Sequence, residues 1–272
     1  MSGSAQDPRA DAPAGRPHGA RLALEIAVTG PAGARVARDG GADRVELCSA
    51  LELGGVTPSD AMVAATAATG LPVQVLVRCR PGDFVHDAEE VALMAAEVRS
   101  VVAAGAAGVV VGVLDADGSL HSEAMRRLVD AAREAGAAAG RPVDVTLHRA
   151  IDQAADPVAA AVAAASLGIT RILTSGGAPS ALDGAATLGA ITAAVPGVEV
   201  MAGGGVRPQD VAALAVAGVG AVHLSAKRAA PVRHGGTWVP MGAAASSADA
   251  DTYFVTAPDI VAAARTAVDA VG

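Results

Sequence analysis

Aromatic side chains are nearly missing: two Phe, one Tyr and one Trp in 272 residues. That excludes the stacked ring platforms on which proteins hold single-stranded nucleic acid. Any core must therefore be built from Val, Ile, Leu and Ala, and a hydrophobic fraction of 52% supplies enough of them. Cysteine is as scarce. Cys48 and Cys79 are too few for a disulfide framework and lack the repeated pairs of a structural zinc site, so a reducing cytoplasm is the expected location. An excess of basic charge is missing too. A net charge of −8 argues against a polyanionic partner while leaving room for a small anion. No apolar run reaches the length of a membrane span without Gly, Pro or charge interrupting it. The first twenty residues carry no signal-peptide core and are rich in Pro, Gly, Ala and Ser, so a disordered tail over 1–20 is expected ahead of a single domain over 21–272.

What is present is a rhythm. Short β-branched runs alternate with longer Ala-rich amphipathic segments, and the unit recurs eight times. The strands fall at Leu22–Val28, Arg44–Cys48, Val73–Arg78, Gly108–Leu114, Asp144–His148, Arg171–Thr174, Glu199–Ala202 and Ala221–Leu224. Thr57-Pro58, Asp156-Pro157, Arg207-Pro208 and Ala257-Pro258 read as helix starts. Gly105, Gly136, Gly168 and Gly218 read as C-cap glycines. The first strand ends in Thr29-Gly30-Pro31 rather than a Gly-rich phosphate turn, which disfavours an open doubly wound sheet. The expected fold is α/β, a single (β/α)8 TIM barrel of parallel strands.

Buried parallel strands are normally unbroken apolar runs, yet Glu25, Glu46, Arg78, His148 and His223 interrupt or end five of these. One reading is a structural ion network with Glu25 and Glu46 around Arg78. The other is a site at the C-terminal rim, where such barrels keep their chemistry. His148, Arg149 and Asp152 add an imidazole, a guanidinium and a carboxylate at one strand end, a trio suited to acid/base work on a bound anion. Two Gly-rich turns follow, Thr174-Ser175-Gly176-Gly177 and Ala202-Gly203-Gly204-Gly205-Val206. Their amides, with Ser225 and Lys227, could cradle a phosphate. In the stretch DADGSL, Asp115, Asp117 and Gly118 resemble the start of a calcium loop. The glycine comes too early, and Arg126 stands where a carboxylate should close it. Asp117-Gly118 is turn chemistry, and Asp115 is expected to face the barrel mouth.

These residues, in this order, resemble the copper homeostasis protein family CutC. The resemblance is carried by Leu24-Glu25-Ile26, the run from Gly41 to Cys48, the run from Gly54 to Ser59, Val77-Arg78, Gly82-Asp83-Phe84, the run from Gly112 to Gly118, the run from His148 to Asp152, the run from Ile172 to Gly177, the run from Met201 to Arg207, and Val222-His223. It covers about residues 21–260. It implies a TIM barrel, a cytoplasmic location, a homo-oligomer, and copper as the associated ion, with Cys48 the candidate ligand. Cys79, Pro81, His86 and Leu224 depart from the family pattern. Two function classes follow. One is a copper-binding homeostasis protein. The other is an enzyme acting by acid/base chemistry on a small anionic metabolite, phosphorylated ones included, with Glu25, Glu46, Arg78, Asp115, His148, Arg149 and Asp152 in catalysis. No organic cofactor, nucleic acid or membrane partner is indicated. The apolar segment from Lys227 to Tyr253, with Trp238, is expected to cover the mouth or to pack on a second subunit.

Overall fold

The computed structural model describes residues 21–230 and 253–272. The expected tail over 1–20 and the Trp238 segment lie outside the described residues.

The expected barrel is what forms. Strands β1 (Ala23–Val28), β2 (Arg44–Leu47), β3 (Val73–Leu76), β4 (Gly108–Val111), β5 (Asp144–Leu147), β6 (Arg171–Thr174), β7 (Glu199–Gly203) and β8 (Ala221–Leu224) close in sequence order. β1 pairs in parallel with both β2 and β8. Around them lie helices α1 (Pro31–Asp39), α2 (Asp60–Ala67), α3 (Ala88–Ala103), α4 (Ser122–Ala138), α5 (Pro157–Ser166), α6 (Ala185–Ala194), α7 (Val211–Val216) and α8 (Pro258–Asp269). A short ribbon of β9 (Lys227–Ala229) and β10 (Phe254–Thr256) precedes α8.

Alternation along each strand sorts the interior into two cores. Leu22, Leu24, Ile26 and Val28 face outward and join the main apolar core against the helices. The inward faces hold two small apolar clusters, Cys48 with Leu76 and Val110, and Leu173 with Met201 and Ala221. Most of the other buried inward side chains are polar, among them Glu25, Arg44, Glu46, Gln74, Thr146 and Arg171.

Local signals set most boundaries. The Asp156 side chain accepts the Val158 and Ala159 amides, with Pro157 opening α5. Two expectations need correction. Thr57-Pro58 does not begin a helix: Thr57 pairs with Arg78 and Glu97, and α2 starts at Asp60 behind a Ser59 cap. Gly136 does not end α4. It lies inside the helix, where a Cβ would press on the Arg141 carbonyl and Val143, and Gly140 at φ +67° supplies the left-handed turn.

Candidate active site

The polar interior begins as a layer set by strand register. Glu25 lies opposite Arg44 on β2 and His223 on β8. Arg44 donates from Nε to Glu25 Oε2 at 2.6 Å and from Nη2 to Glu199 Oε1 at 2.7 Å. Arg171 joins Glu199 to Asp144 and Thr146. His223 carries the layer upward, with Nδ1 2.8 Å from Glu25 Oε1 and Nε2 3.7 Å from Glu46 Oε2. The expected network of Glu25 and Glu46 around Arg78 is therefore corrected. Their cationic neighbours are Arg44 and His223, because Arg78 stands two residues past the end of β3 and turns under the following loop.

The three groups that share this buried corner titrate apart. Burial works to raise the Glu25 carboxyl, but the His223 hydrogen bond and the Arg44 charge overcome it and hold it at about 2. Burial raises Glu46 to about 7, with His223 opposing and Glu25 adding to the rise. Burial works against a charged His223, yet the Glu25 hydrogen bond and the two carboxylates raise its pKa above the ordinary value. Glu46 is thus poised to give or take a proton near neutrality, beside an imidazole anchored by a fixed carboxylate.

Both groups line a cavity of about 250 Å³ in the barrel mouth. Glu46 and His223 come from the strands flanking β1. His148 and Arg149 come from the end of β5, across an eight-stranded ring from β1, and Arg78, Phe84, Gly204, Gly205, Val206 and Ser225 complete much of the wall. Arg78 is 5% exposed and meets no carboxylate among the described residues. Its guanidinium donates to the carbonyls of Leu53, Gly55 and Gly82 and stands 4.8 Å over the Phe84 ring. Burial and the Arg80 charge lower its pKa, with the Asp83 charge opposing. His148 Nδ1 accepts the Ala150 amide, and burial with the Arg78 charge pushes its pKa down to about 3. The ring is neutral with its proton on Nε2, and Nε2 has no partner among the described residues. Arg149 donates to Asp152 at 2.7 Å and to Ser175 Oγ at 3.1 Å, with much of its side chain exposed.

The other sequence candidates divide. Gly204 and Gly205, at φ +106° and +65°, bring backbone to the cavity, and Ser225 reaches it. Gly203 packs where a Cβ would strike Leu173. Ser175 donates to the Ala178 carbonyl, and the Gly176 amide donates to Thr174 Oγ1. Asp152 accepts from Thr174 Oγ1 and the Ser175 and Gly177 amides besides Arg149, so it ties the β5 and β6 loops together outside the cavity wall. Lys227 lies 4.2 Å over the Phe254 ring and lines a separate surface hollow. Asp115 does not reach the cavity. DADGSL is a polar turn, with Ser119 donating to Asp117 and the Gly118 amide to the Asp115 carbonyl. Sequence reasoning missed Arg44, Asp144, Arg171 and Glu199. Their signal was a charge at the first position of four strands.

A closed parallel barrel with a titratable pair and a buried guanidinium without a salt bridge among the described residues at its C-terminal mouth belongs to the (β/α)8 proteins that keep their site at the strand ends. Within that class the chain belongs to the CutC family, which residues 22–228 match. A CutC family protein of Agrobacterium fabrum is 48% identical over 194 residues, 71% of this chain and 74% of its own. One from Xanthomonas campestris is 43% identical over 213 residues, 78% of this chain and 85% of its own. A Streptococcus agalactiae structure named for copper homeostasis, CutC, superposes with a TM-score of 0.67 at 24% identity, over 75% of this chain and 98% of its own. No helix among the described residues is long and apolar enough to cross a membrane.

Copper does not fit the residue expected to hold it. Cys48 is 1% exposed and packs with Leu76, Val110 and Leu51. Burial, then the Glu46 and Glu52 charges, pushes its thiol well above the ordinary range, whereas a soft metal needs the thiolate. Among the described residues no group of three close His, Cys, Asp or Glu ligand atoms includes it.

Proposed function

We propose that this chain is a cytoplasmic enzyme that moves a proton on a small anionic metabolite, held by Arg78, Arg149 and the Gly204-Gly205 backbone. Glu46 serves as the general base and His223 as its partner. The observation that carries this reading is the shared cavity: a carboxyl brought to about 7 and an unpaired buried guanidinium line the same 250 Å³ space. An anion would supply the counter-charge that Arg78 lacks, and the His148 Nε2–H would donate to it. Glu46 could then take a proton from a carbon or hydroxyl of the ligand while imidazolium His223 stabilises the charge that develops. Two free cysteines suit a reducing compartment.

The test is titration of the protein with inorganic phosphate, phosphorylated three- to six-carbon sugars and copper(I). Anion affinity is expected to fall at least about tenfold in Arg149→Ala and to survive in Glu46→Gln. Exchange of a ligand proton for solvent deuterium is expected in the wild type, rising with pH through about 7 as Glu46 ionises, and lost in Glu46→Gln. Tight copper(I) binding lost only in Cys48→Ser, with no anion bound by any variant, would overturn the reading in favour of a copper carrier.

A further inference from the structure

Away from the mouth, the chain brings one thiol, one imidazole and one carboxylate to a common point. Cys79 lies just past β3, while His86 and Glu90 flank the start of α3. One ligand atom from each lies within 4.8 Å of the other two. Cys79 Sγ is 3.8 Å from His86 Nδ1, and the same nitrogen is 3.3 Å from Glu90 Oε2.

That both contacts meet on Nδ1 decides what the group can do. A thiol–imidazole–carboxylate relay needs the two ring nitrogens, one for each neighbour, so this is not a nucleophile with its base. A metal ion can take all three. In a tetrahedral zinc site with Zn–S about 2.3 Å and Zn–N and Zn–O about 2.0–2.1 Å, the S···N edge is about 3.6 Å and the N···O edge about 3.3 Å. The observed 3.8 and 3.3 Å are close to those edges, and the third, from the thiol to the carboxylate, lies within 4.8 Å, so the thiol would move inward to close an ideal edge of about 3.6 Å. The surroundings orient the ligands as well. Arg80 Nε holds Glu90 Oε1, and the Asp87 amide donates to Oε2 at 3.0 Å, which fixes the carboxylate with Oε2 toward the imidazole. The His86 side chain is wholly buried, and Cys79 and Glu90 are half-buried.

We propose that Cys79, His86 and Glu90 bind a tetrahedral divalent ion of the zinc class. The mixed set selects it: a carboxylate ligand disfavours copper(I), and a thiolate disfavours magnesium and calcium. On binding, the Cys79 thiol releases its proton to solvent and the thiolate bonds to the ion. The ion would close the loop from 79 to 90, which carries the Gly82 carbonyl bonded to Arg78 and the Phe84 ring that lies under the Arg78 guanidinium and packs at a tilt against His148. It would thereby fix one wall of the mouth without touching the ligand.

The experiment uses the full chain stripped of metal by a chelator. Cobalt(II) is expected to give one ion per chain with a thiolate-to-metal absorption band, retained in Cys48→Ser and lost in Cys79→Ser. Zinc affinity should fall more than about 100-fold in Cys79→Ser and in His86→Gln. A wild-type measurement guards against variants that fail to fold: zinc should protect Cys79 from alkylation, mapped by mass spectrometry. No cobalt–thiolate band in the wild type, a band that follows Cys48, or Cys79 labelling unchanged by zinc would overturn the proposal.

Discussion

His148 shows how one residue ties stability to the mouth. Its folded pKa of about 3 lies below the unfolded value of 6.5. Its contribution is therefore complete above pH 6.5 and is lost as pH falls toward 3, since only the unfolded chain readily takes the proton. Each pKa unit between the two states costs about 1.4 kcal/mol. Glu46 runs the other way, because its folded pKa is raised, so it favours the fold increasingly as pH drops from 7 toward 4.5. The two are separated by substitution. His148→Asn is expected to remove the His148 loss and so shift the balance between pH 6.5 and 4.5 toward greater stability at the acid end, read as urea midpoints across that range; slopes equal to the wild type would mean that the imidazole is not held neutral. Arg78 makes a second case. Arg78→Ala leaves the carbonyls of Leu53, Gly55 and Gly82 without this donor, and about 1–3 kcal/mol of stability is expected to go with it. The loss reflects orphaned carbonyls rather than stranded Glu25 or Glu46, so a Glu25→Gln background should leave its size unchanged.

At the scale of elements, the strand ends decide where chemistry can sit. Arg78 and His148 lie just past β3 and β5: loop carbonyls of Leu53, Gly55 and Gly82 hold the Arg78 guanidinium, while the His148 amide donates to the Val111 carbonyl of β4 and its ring accepts the Ala150 amide. Small residues make room for them. A Cβ at Gly112, past the end of β4, would collide with the His148 ring and meet Ala150. Gly112→Ala is therefore expected to displace His148 and weaken anion binding at least about tenfold while the far-ultraviolet circular dichroism stays that of the barrel. Unchanged affinity would show that the imidazole has slack. Much of this level was legible beforehand. Eight β-branched runs announced eight strands, and Asp156-Pro157 and Ala257-Pro258 placed two helix starts correctly, because caps and prolines act within one turn. Two kinds of feature were not. The pairing of Glu25 with Arg44 depends on register between strands, which neither strand encodes alone. The meeting of Cys79, His86 and Glu90 depends on a loop conformation at a spacing that matches no metal motif.

At the scale of the whole molecule, the barrel interior is split between a charged layer near the strand starts and a ligand space near their ends. Arg44 is the hinge of the lower layer, since it bridges Glu25 on β1 to Glu199 on β7 across the closed ring. Arg44→Met would leave Glu25, 1% exposed, with His223 as its hydrogen-bonded counter-charge and Arg171 acting at longer range, and Glu199 with Arg171. Breaking such a buried pair typically costs about 3–5 kcal/mol, because the surviving charge stays desolvated. Removing both partners of one bridge is cheaper than removing one. Arg44→Met combined with Glu25→Gln is thus expected to lose less stability than Arg44→Met alone, as measured by urea unfolding of the three chains. If the single substitution shifts stability by less than about 0.5 kcal/mol, the layer is filler that water can replace. Then the low pKa of Glu25, and with it the anchoring of His223 beneath Glu46, would not depend on the arginine that the register sets beside it.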